Sequence, residues 1–247
     1  MTVTSFKTED QMRSLVSMFW PSPFVVENYT QLLTKTDFAI WYRNSAAVAI
    51  SSTLVATARH HRRLRAGAAP LPGTRLPVER DPDHVPGPPS ILFIPLYAQI
   101  RTMGLADSLA GLVAAYPSFT VPFVTWLLMG YFGSIPEELE EAAMIDGATR
   151  FGAFRRIILP LAAPGVLAAS LFAFTQAWNE FLYALVFISD GKQCTLPVGL
   201  STFITGDVYG WGYLMAGAVL TTLPVIVVYT YLQRYMVEGL TAGSVKG

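Results

Sequence analysis

A stretch in the second half of the chain combines acidic, small and flexible residues in a spacing suited to docking on another protein: "EELEEAAMIDGATRFGAFRRIILP". Pro136, Glu137 and Glu138 predict that a short helix begins there, because proline fits the first helical turn and acidic side chains complement the helix dipole. The small side chains of Ala142 and Ala143 would let a partner surface approach closely. We therefore expect a docking element here.

A glycine follows the candidate helix and predicts its end. Gly147, next to Asp146, is expected to end the short helix or to permit a sharp turn before a second helix begins. A surface amphipathic helix that merely contains glutamates and alanines would have a similar composition. This alternative implies no partner protein.

A second group of residues could bind a small molecule. Trp178, Asn179 and Glu180 stand together at the far half of an apolar segment, where polar side chains are functional candidates because burying them in lipid is costly. Aromatic rings that stack on sugar faces, beside hydrogen-bonding side chains, would suit a carbohydrate path. The alternative is a tryptophan of the interfacial belt, with Glu180 already among the lipid headgroups.

Other chemistry finds little support in the sequence. The chain has no G-x-x-x-x-G-K-[ST] phosphate loop, so we expect no ATP hydrolysis of its own, no enzyme activity and no cofactor. His60 and His61, with the distant His84, lack the spacing of metal ligands. The net charge of zero argues against nucleic acid as a partner, and the single Cys194 excludes a disulfide within the chain.

Composition predicts that transmembrane helices position these residues. The 247-residue chain is 52% hydrophobic and 14% charged, and its mean hydropathy is +0.42, as is typical of a polytopic membrane protein. Three apolar segments are long enough to cross a bilayer, namely 108–136, 157–179 and 210–233. Residues 1–40 hold no such segment and are expected to lie outside the membrane.

The placement of lysine and arginine predicts the orientation of the spans. The loop of residues 133–156 holds Arg150, Arg155 and Arg156, whereas the loop before the last span offers only Lys192. We therefore expect the 133–156 loop and the C-terminus to lie in the cytoplasm.

The docking stretch resembles the EAA signature, EAA-x3-G-x9-I-x-LP, of permease subunits of ABC importers. The matching positions are, in order, Glu141, Ala142, Ala143, Gly147, Ile157, Leu159 and Pro160. Further segments, including "QAWNEFLYAL", "TLPVGLSTF" and "EGLTAGSVKG", resemble the carbohydrate-importing, maltose-permease (MalG-like) branch of that MetI-like superfamily. The likeness covers the chain from about Phe24 to Gly247 apart from one anomalous stretch.

The resemblance implies an all-α, polytopic helical bundle in a bacterial inner membrane that imports a sugar. It implies binding to two ATPase subunits, which hold the ATP, pairing with a second homologous permease, and delivery of sugar by an extracytoplasmic binding protein. The tail of residues 237–247 would lie against the ATPases. The residues implied to contact an ATPase are Glu141, Ala142, Ala143, Asp146, Gly147, Arg150, Leu159 and Pro160. A degraded remnant, or a permease for amino acids or peptides, is the alternative function.

One stretch departs from the resemblance. Residues 59–87, "RHHRRLRAGAAPLPGTRLPVERDPDHVPG", are rich in arginine and proline and lie between uncharged runs of 15 and 13 residues, each too short to cross a bilayer. GC-rich codons for this stretch, translated one nucleotide later, can encode "AGYALARLRF" and an apolar run that would complete both helices. We interpret the stretch as a compensated pair of frameshifts. A disordered cytoplasmic insertion is the alternative, and the gene sequence distinguishes the two.

The family pattern also begins with a further helix before the segment that here starts near Met1. The resemblance therefore implies that the chain as written lacks its first helix and has damaged second and third spans. A start codon assigned too late would have this effect.

Overall fold

The computed structural model describes residues 1–13, 20–65, 93–133, 135–136, 138–205 and 208–242. In these ranges the chain is nearly all helical, as expected, with one short two-stranded antiparallel ribbon. The elements are α1 (Thr2–Ser5), α2 (Glu9–Arg13), α3 (Glu27–Lys35), α4 (Phe38–Arg65), α5 (Phe93–Thr102), α6 (Leu109–Ala115), α7 (Pro117–Gly133), α8 (Glu138–Ile145), α9 (Arg150–Ala153), a π-helical turn (Phe154–Ile158), α10 (Leu159–Trp178), α11 (Leu182–Phe187), α12 (Leu196–Ser201), β1 (Ile204–Thr205), β2 (Val208–Tyr209) and α13 (Trp211–Ala242).

Three helical segments are long and apolar enough to cross a membrane, within the residues described. They are Leu109–Phe132, formed by α6 and α7, Arg150–Trp178, formed by α9, the π-helical turn and α10, and Trp211–Gln233 in α13. These segments confirm the three spans predicted from hydropathy. Pro122, Pro164 and Pro224 lie inside α7, α10 and α13 without ending them.

Helix α4 reaches Arg65 but is not one of these three spans. At 1.5 Å per residue its 28 residues extend about 42 Å, which is longer than the roughly 30 Å hydrocarbon core of a bilayer. The sequence of its C-terminal turns is rich in arginine, so the helix is not apolar along its whole length. Most of the stretch predicted to result from frameshifts, residues 66–87, lies outside the described residues. The frameshift therefore stays a prediction, as does the missing first helix.

Helix α10 lies at the centre of the bundle and packs most extensively on α4, then on α7 and α13. Small side chains bring α4 and α10 close together, as is usual where membrane helices pack tightly. Ala49 and Ala56 of α4 are buried, as are Ala169 and Ala173 of α10. The two ends of α10 lie at opposite ends of the bundle. We call these the α8 end and the α12 end, after the helices nearest to each.

The segment before α4 forms short helices that pack on the start of α13. Asn28 of α3 donates hydrogen bonds to the carbonyl oxygens of Ser5 and Lys7, at 2.9 Å each, and its side chain lies against Gly212. None of α1, α2 and α3 exceeds nine residues, so none could cross a bilayer by itself. The extracytoplasmic location predicted for residues 1–40 stays a prediction.

The loop of residues 188–195, between α11 and α12, is held by side chains of other elements. On α4, the Trp41 indole N–H donates to the Gly191 carbonyl at 2.8 Å, and Asn44 donates to the carbonyls of Lys192 and Cys194 at 2.9 and 3.0 Å. On the other side, the Asp107 carboxylate accepts the N–H groups of Ser189 and Asp190 at 2.7 and 3.2 Å. The 188–195 loop is therefore fixed to the bundle.

Helix α13 is longer than the predicted span and continues to Ala242. Residues 237–242, which the sequence analysis assigned to a C-terminal tail, belong to this helix. Residues 243–247 lie outside the described part of the chain.

Candidate functional site

The docking stretch forms a helix, a tight turn and a second helix. Glu141, Ala142 and Ala143 lie on α8, which ends at Ile145. The Ala148 N–H donates to the Ala143 carbonyl at 3.0 Å and closes the turn. Gly147 has φ of +87°, a left-handed conformation that glycine adopts at little cost and other residues avoid. The turn expected at this glycine is therefore present.

The second helix of the docking stretch starts after Thr149, which caps it, and continues into the Arg150–Trp178 span. The Thr149 hydroxyl accepts the N–H of Gly152 at 3.1 Å, which satisfies one of the free donors at the start of α9. From Arg150 the chain stays helical to Trp178, with a π-helical turn directly before Leu159 and Pro160. Such turns relieve the effect of an inserted residue or a proline on the helical hydrogen bonds. One helical rod thus joins the docking stretch to the α12 end.

The surface of α8 and α9 mixes exposed apolar and acidic side chains. Ala142 is exposed, while Ala143 is 6% exposed and packs inward. Ile145 is 85% exposed, and Leu139 and Phe151 are also exposed. The acidic side chains of Glu138, Glu141 and Asp146 are exposed around them. We call the exposed residues Glu138, Leu139, Glu141, Ala142, Ile145, Asp146 and Phe151 the α8 surface.

The structure brings the predicted ATPase-contact residues to one end of the bundle. Six of them lie on α8, its turn and the start of α9, and α8 contacts both α9 and the π-helical turn. Leu159 and Pro160 lie just beyond that turn, at the start of α10. Leu139, Ile145 and Phe151 of this surface were not predicted from the sequence. They could have been recognised in the sequence as apolar side chains within a loop that holds no membrane span.

The threonine cap allows a local test of this element. Thr149→Ala is expected to lower the stability of the α8–α9 turn by about 1 kcal/mol, because the N–H of Gly152 loses its acceptor. Thr149→Ser keeps the hydroxyl and should behave like the parent chain. Limited proteolysis of the loop in purified protein measures the difference. Equal cleavage rates for both variants would contradict the capping role.

The candidate sugar residue Trp178 lies in the core of the bundle. Its ring is 1% exposed, stacks on Phe174 with ring centroids 5.6 Å apart and meets Tyr42 edge-on at 5.4 Å. Its indole N–H donates to the Thr221 carbonyl of α13 at 3.2 Å. In this structure Trp178 therefore packs helices together and faces no open path.

The two polar neighbours of Trp178 also make internal bonds. Asn179 is exposed and donates to the Thr175 carbonyl at 2.9 Å, at the C-terminal end of its own helix. The carboxylate of Glu180 accepts hydrogen bonds from the Tyr116 hydroxyl and from the N–H groups of Tyr183 and Ala184. A substrate role for these residues stays a prediction, and their hydrogen bonds favour a structural one.

The described residues offer little to a metal ion. No group of three or more histidine, cysteine, aspartate or glutamate side chains among them could hold one. A cavity of about 210 Å³ lies between the first helices and the start of α13, lined by polar side chains that include Glu9, Glu27 and Gln31. It is remote from the α8 surface.

A family model covers more than half of the chain. Residues 87–241 match the binding-protein-dependent transport system inner membrane component. The chain belongs to this family. The resemblance stated from the signature residues is thereby confirmed, and the protein is a membrane-spanning permease component of the inner membrane.

Three similar proteins are themselves named as permease proteins of transport systems. The permease is 34% identical to the inner membrane ABC transporter permease protein YcjP of Escherichia coli, over 100% of this chain and 89% of the relative. It is 35% identical to the trehalose transport system permease protein SugB of Mycobacterium tuberculosis, over 92% and 84%. It is 40% identical to the trehalose/maltose transport system permease protein MalG of Thermococcus litoralis, over 62% and 55%.

A solved structure shares the fold. The permease matches a chain of a bacterial ABC transporter involved in the import of the acidic polysaccharide alginate, with a TM-score of 0.67 over 95% of this chain and 88% of that one. The identity is 21%, so this likeness concerns the fold alone. The all-α membrane bundle predicted from sequence is confirmed.

Proposed function

We propose that this permease is the membrane-spanning subunit of an ATP-driven ABC importer for a mono- or oligosaccharide. The observation that carries the proposal is the α8 surface, an exposed apolar and acidic patch built on the residues that resemble the EAA signature and continuous with the helix of the Arg150–Trp178 span. Exposed apolar side chains rimmed by charges are typical of protein interaction sites. The patch would dock on a separate ATPase subunit.

In the proposed mechanism, closure of the ATPases moves α8 as a lever. The turn at Gly147 sets the angle between α8 and α9, and the helix from Arg150 to Trp178 carries the movement into the bundle. Because α10 packs on α4, α7 and α13, its displacement would switch the spans between outward and inward access. The chain itself would hydrolyse nothing, hold no cofactor and leave ATP to its partners.

The partners follow from this scheme. Two ATPase subunits would bind at the α8 end, a second homologous permease would complete the path, and an extracytoplasmic binding protein would deliver the sugar at the α12 end. The exposed Arg150, Arg155 and Arg156 at the α8 end support a cytoplasmic location for that end under the positive-inside rule. The C-terminal end of α13 would then also be cytoplasmic.

The sugar class is supported by the relatives. The relative from Mycobacterium tuberculosis is named for trehalose and the one from Thermococcus litoralis for trehalose and maltose. A permease for a non-sugar substrate is the first alternative. A degraded remnant that inserts but does not assemble is the second, and the arginine-rich stretch after Ala58 is the feature that favours it.

The test is complementation of a gene deletion in the source organism. The chain as written and a frame-restored version are each returned, and uptake of radiolabelled trehalose, maltose and glutamate is measured. We expect sugar uptake with at least the frame-restored chain and no change in glutamate uptake. Restored glutamate uptake would support the first alternative. Uptake with the restored frame alone would show that the chain as written is a remnant, and no uptake with either would refute the proposal.

A further inference from the structure

Two membrane spans contain a helix junction at the α12 end, and one hydrogen bond connects the two junctions. The Leu109–Phe132 span passes from α6 to α7 at Tyr116, directly before Pro117, which lacks a backbone N–H. The Arg150–Trp178 span ends at Trp178, and α11 begins at Leu182. Tyr116 is 0% exposed, and its hydroxyl donates to Oε2 of Glu180 at 2.9 Å.

Glu180 has three hydrogen-bond donors and is the only charged residue between Arg156 and Asp190. Besides the Tyr116 hydroxyl, it accepts the N–H of Tyr183 at 2.8 Å and that of Ala184 at 3.0 Å. Both N–H groups lie in the first turn of α11, where acceptors from outside the helix satisfy the backbone donors, so the carboxylate caps that helix. A carboxylate with three donors is stable in surroundings where an unpaired charge would be costly.

The residues before Glu180 attach the same point to other helices. Trp178 donates to the Thr221 carbonyl of α13, and Asn179 donates to the Thr175 carbonyl of α10. Three consecutive side chains at the end of α10 therefore connect it to α13, to its own last turn, to α11 and to the α6–α7 junction. We call Trp178, Asn179 and Glu180 the 178–180 junction.

This junction lies at the far end of the helical rod that starts beside the α8 surface. The 29 residues from Arg150 to Trp178 extend about 44 Å at 1.5 Å per residue. The helix is unbroken from Arg150 to Trp178, and α10 packs along α4, α7 and α13, so we infer that a displacement imposed at Arg150 reaches Trp178. What moves with the rod at its far end depends on the contacts of the 178–180 junction.

We propose that Glu180 is a positioning residue of transport, whose bond to Tyr116 makes the Leu109–Phe132 span move with the Arg150–Trp178 span when the ATPases close. The inference rests on the proposed function and assigns Glu180 a role other than sugar contact. Without the Tyr116 bond, the rod would still move but the α6–α7 junction would no longer follow it.

The experiment reports movement at the junction without requiring a known sugar. Cys194 is replaced by Ala, and Ala110→Cys introduces one exposed thiol on α6, the helix that should follow the rod only through the Tyr116 bond. The permease is purified with its ATPases, and labelling by a charged maleimide is timed without nucleotide and with Mg-ATP and vanadate. We expect nucleotide trapping to change the labelling rate by about threefold or more, the size typical of coupling through packed networks.

Tyr116→Phe in this background removes only the hydroxyl and is expected to abolish that change. Tyr213→Phe is the matched control, because its hydroxyl donates to Oε1 of Gln31 at 2.8 Å, away from the junction, and its response should persist. Glu180→Ala removes the acceptor of the same hydrogen bond and is also expected to abolish the change in labelling rate. Co-purification of the ATPases shows that each variant is folded and assembled.

Two results would overturn the proposal. One is a nucleotide response that survives in both Tyr116→Phe and Glu180→Ala, and the other is a parent thiol whose labelling ignores nucleotide. A complex that responds to nucleotide but takes up no sugar would leave the Glu180 assignment standing and refute only the proposed function. A permease that purifies without ATPases would refute both.

Discussion

Gly147→Pro is expected to abolish uptake and to release the ATPases from the permease. Gly147 has φ of +87°, whereas the proline ring holds φ near about −65°, so the turn between α8 and α9 would have to rebuild. The α8 surface would then lose its angle to the helical rod. We expect uptake to fall by about 100-fold or more, as for misplacement of a critical group by 1 Å. Uptake in cells and co-purification of the ATPases measure the effect.

A milder exchange separates docking from stability. Gly147→Ala places a Cβ in a left-handed conformation at a cost of roughly 1 to 2 kcal/mol. Gly104→Ala is its matched control, since Gly104 has φ of +72° and, like Gly147, open space where the added Cβ would lie. Gly104 lies at the α12 end, between α5 and α6. Both alanine variants should lose similar thermal stability, and only Gly147→Ala should weaken ATPase binding.

Two outcomes would contradict this assignment. If Gly147→Pro kept wild-type uptake and ATPase binding, α8 would not be the coupling element. If Gly104→Ala weakened ATPase binding as much as Gly147→Ala, the effect would reflect general instability of the bundle.

Asn44→Ala is expected to release the 188–195 loop and to expose the single cysteine. Asn44 is buried and holds the carbonyls of Lys192 and Cys194, and an unpaired buried carbonyl costs about 1 to 3 kcal/mol. Cys194 is 6% exposed in the intact loop. We expect labelling of Cys194 by a small maleimide to rise by about tenfold or more, which corresponds to about 1.4 kcal/mol of easier local opening.

The pH dependence of the same reaction provides a second measurement. Burial raises the pKa of the Cys194 thiol, and the negative charges of Asp190 and Asp107 raise it further. Maleimides react with the thiolate, and an ordinary cysteine forms it near a pH of about 8.5. In the parent chain, labelling should therefore rise with pH only above that range. In Asn44→Ala the rise should shift toward lower pH, since the opened loop reduces the burial.

Asn179→Ala is the control for the asparagine exchange. Asn179 is exposed and its side chain bonds within its own helix, at the Thr175 carbonyl. This variant should leave Cys194 protected. Rapid labelling of Cys194 in the parent chain, or slow labelling in Asn44→Ala, would show that Asn44 does not hold the loop.

Much of the bundle could be predicted because its determinants are local in sequence. A span is a sum of side-chain hydropathies over about 20 residues, so the three segments from hydropathy agree with the structure. The turn at Gly147 is equally local, since one glycine permits the left-handed backbone. Helix α13 continues beyond the predicted span to Ala242, because hydropathy marks the apolar window while a helix can continue through polar residues.

The roles of single side chains could not be predicted in the same way. Trp178, Asn179 and Glu180 suggested a sugar contact because polar and aromatic groups stand together in an apolar segment. The structure shows their polar atoms bonded to Thr221, Thr175 and Tyr116. Which partner a polar side chain finds depends on the neighbouring helices, and no spacing within the segment reveals it.

The sequence by itself determined that the chain is a membrane bundle, where its apolar spans lie, and which family it belongs to. Only the tertiary structure decided which polar groups serve the packing. Tyr116 meets Glu180 across 64 residues, and Asn44 meets Cys194 across 150. Hydropathy and turn propensity act over one or two helical turns, whereas these hydrogen bonds exist only after α4, α6 and α10 have packed against their neighbours.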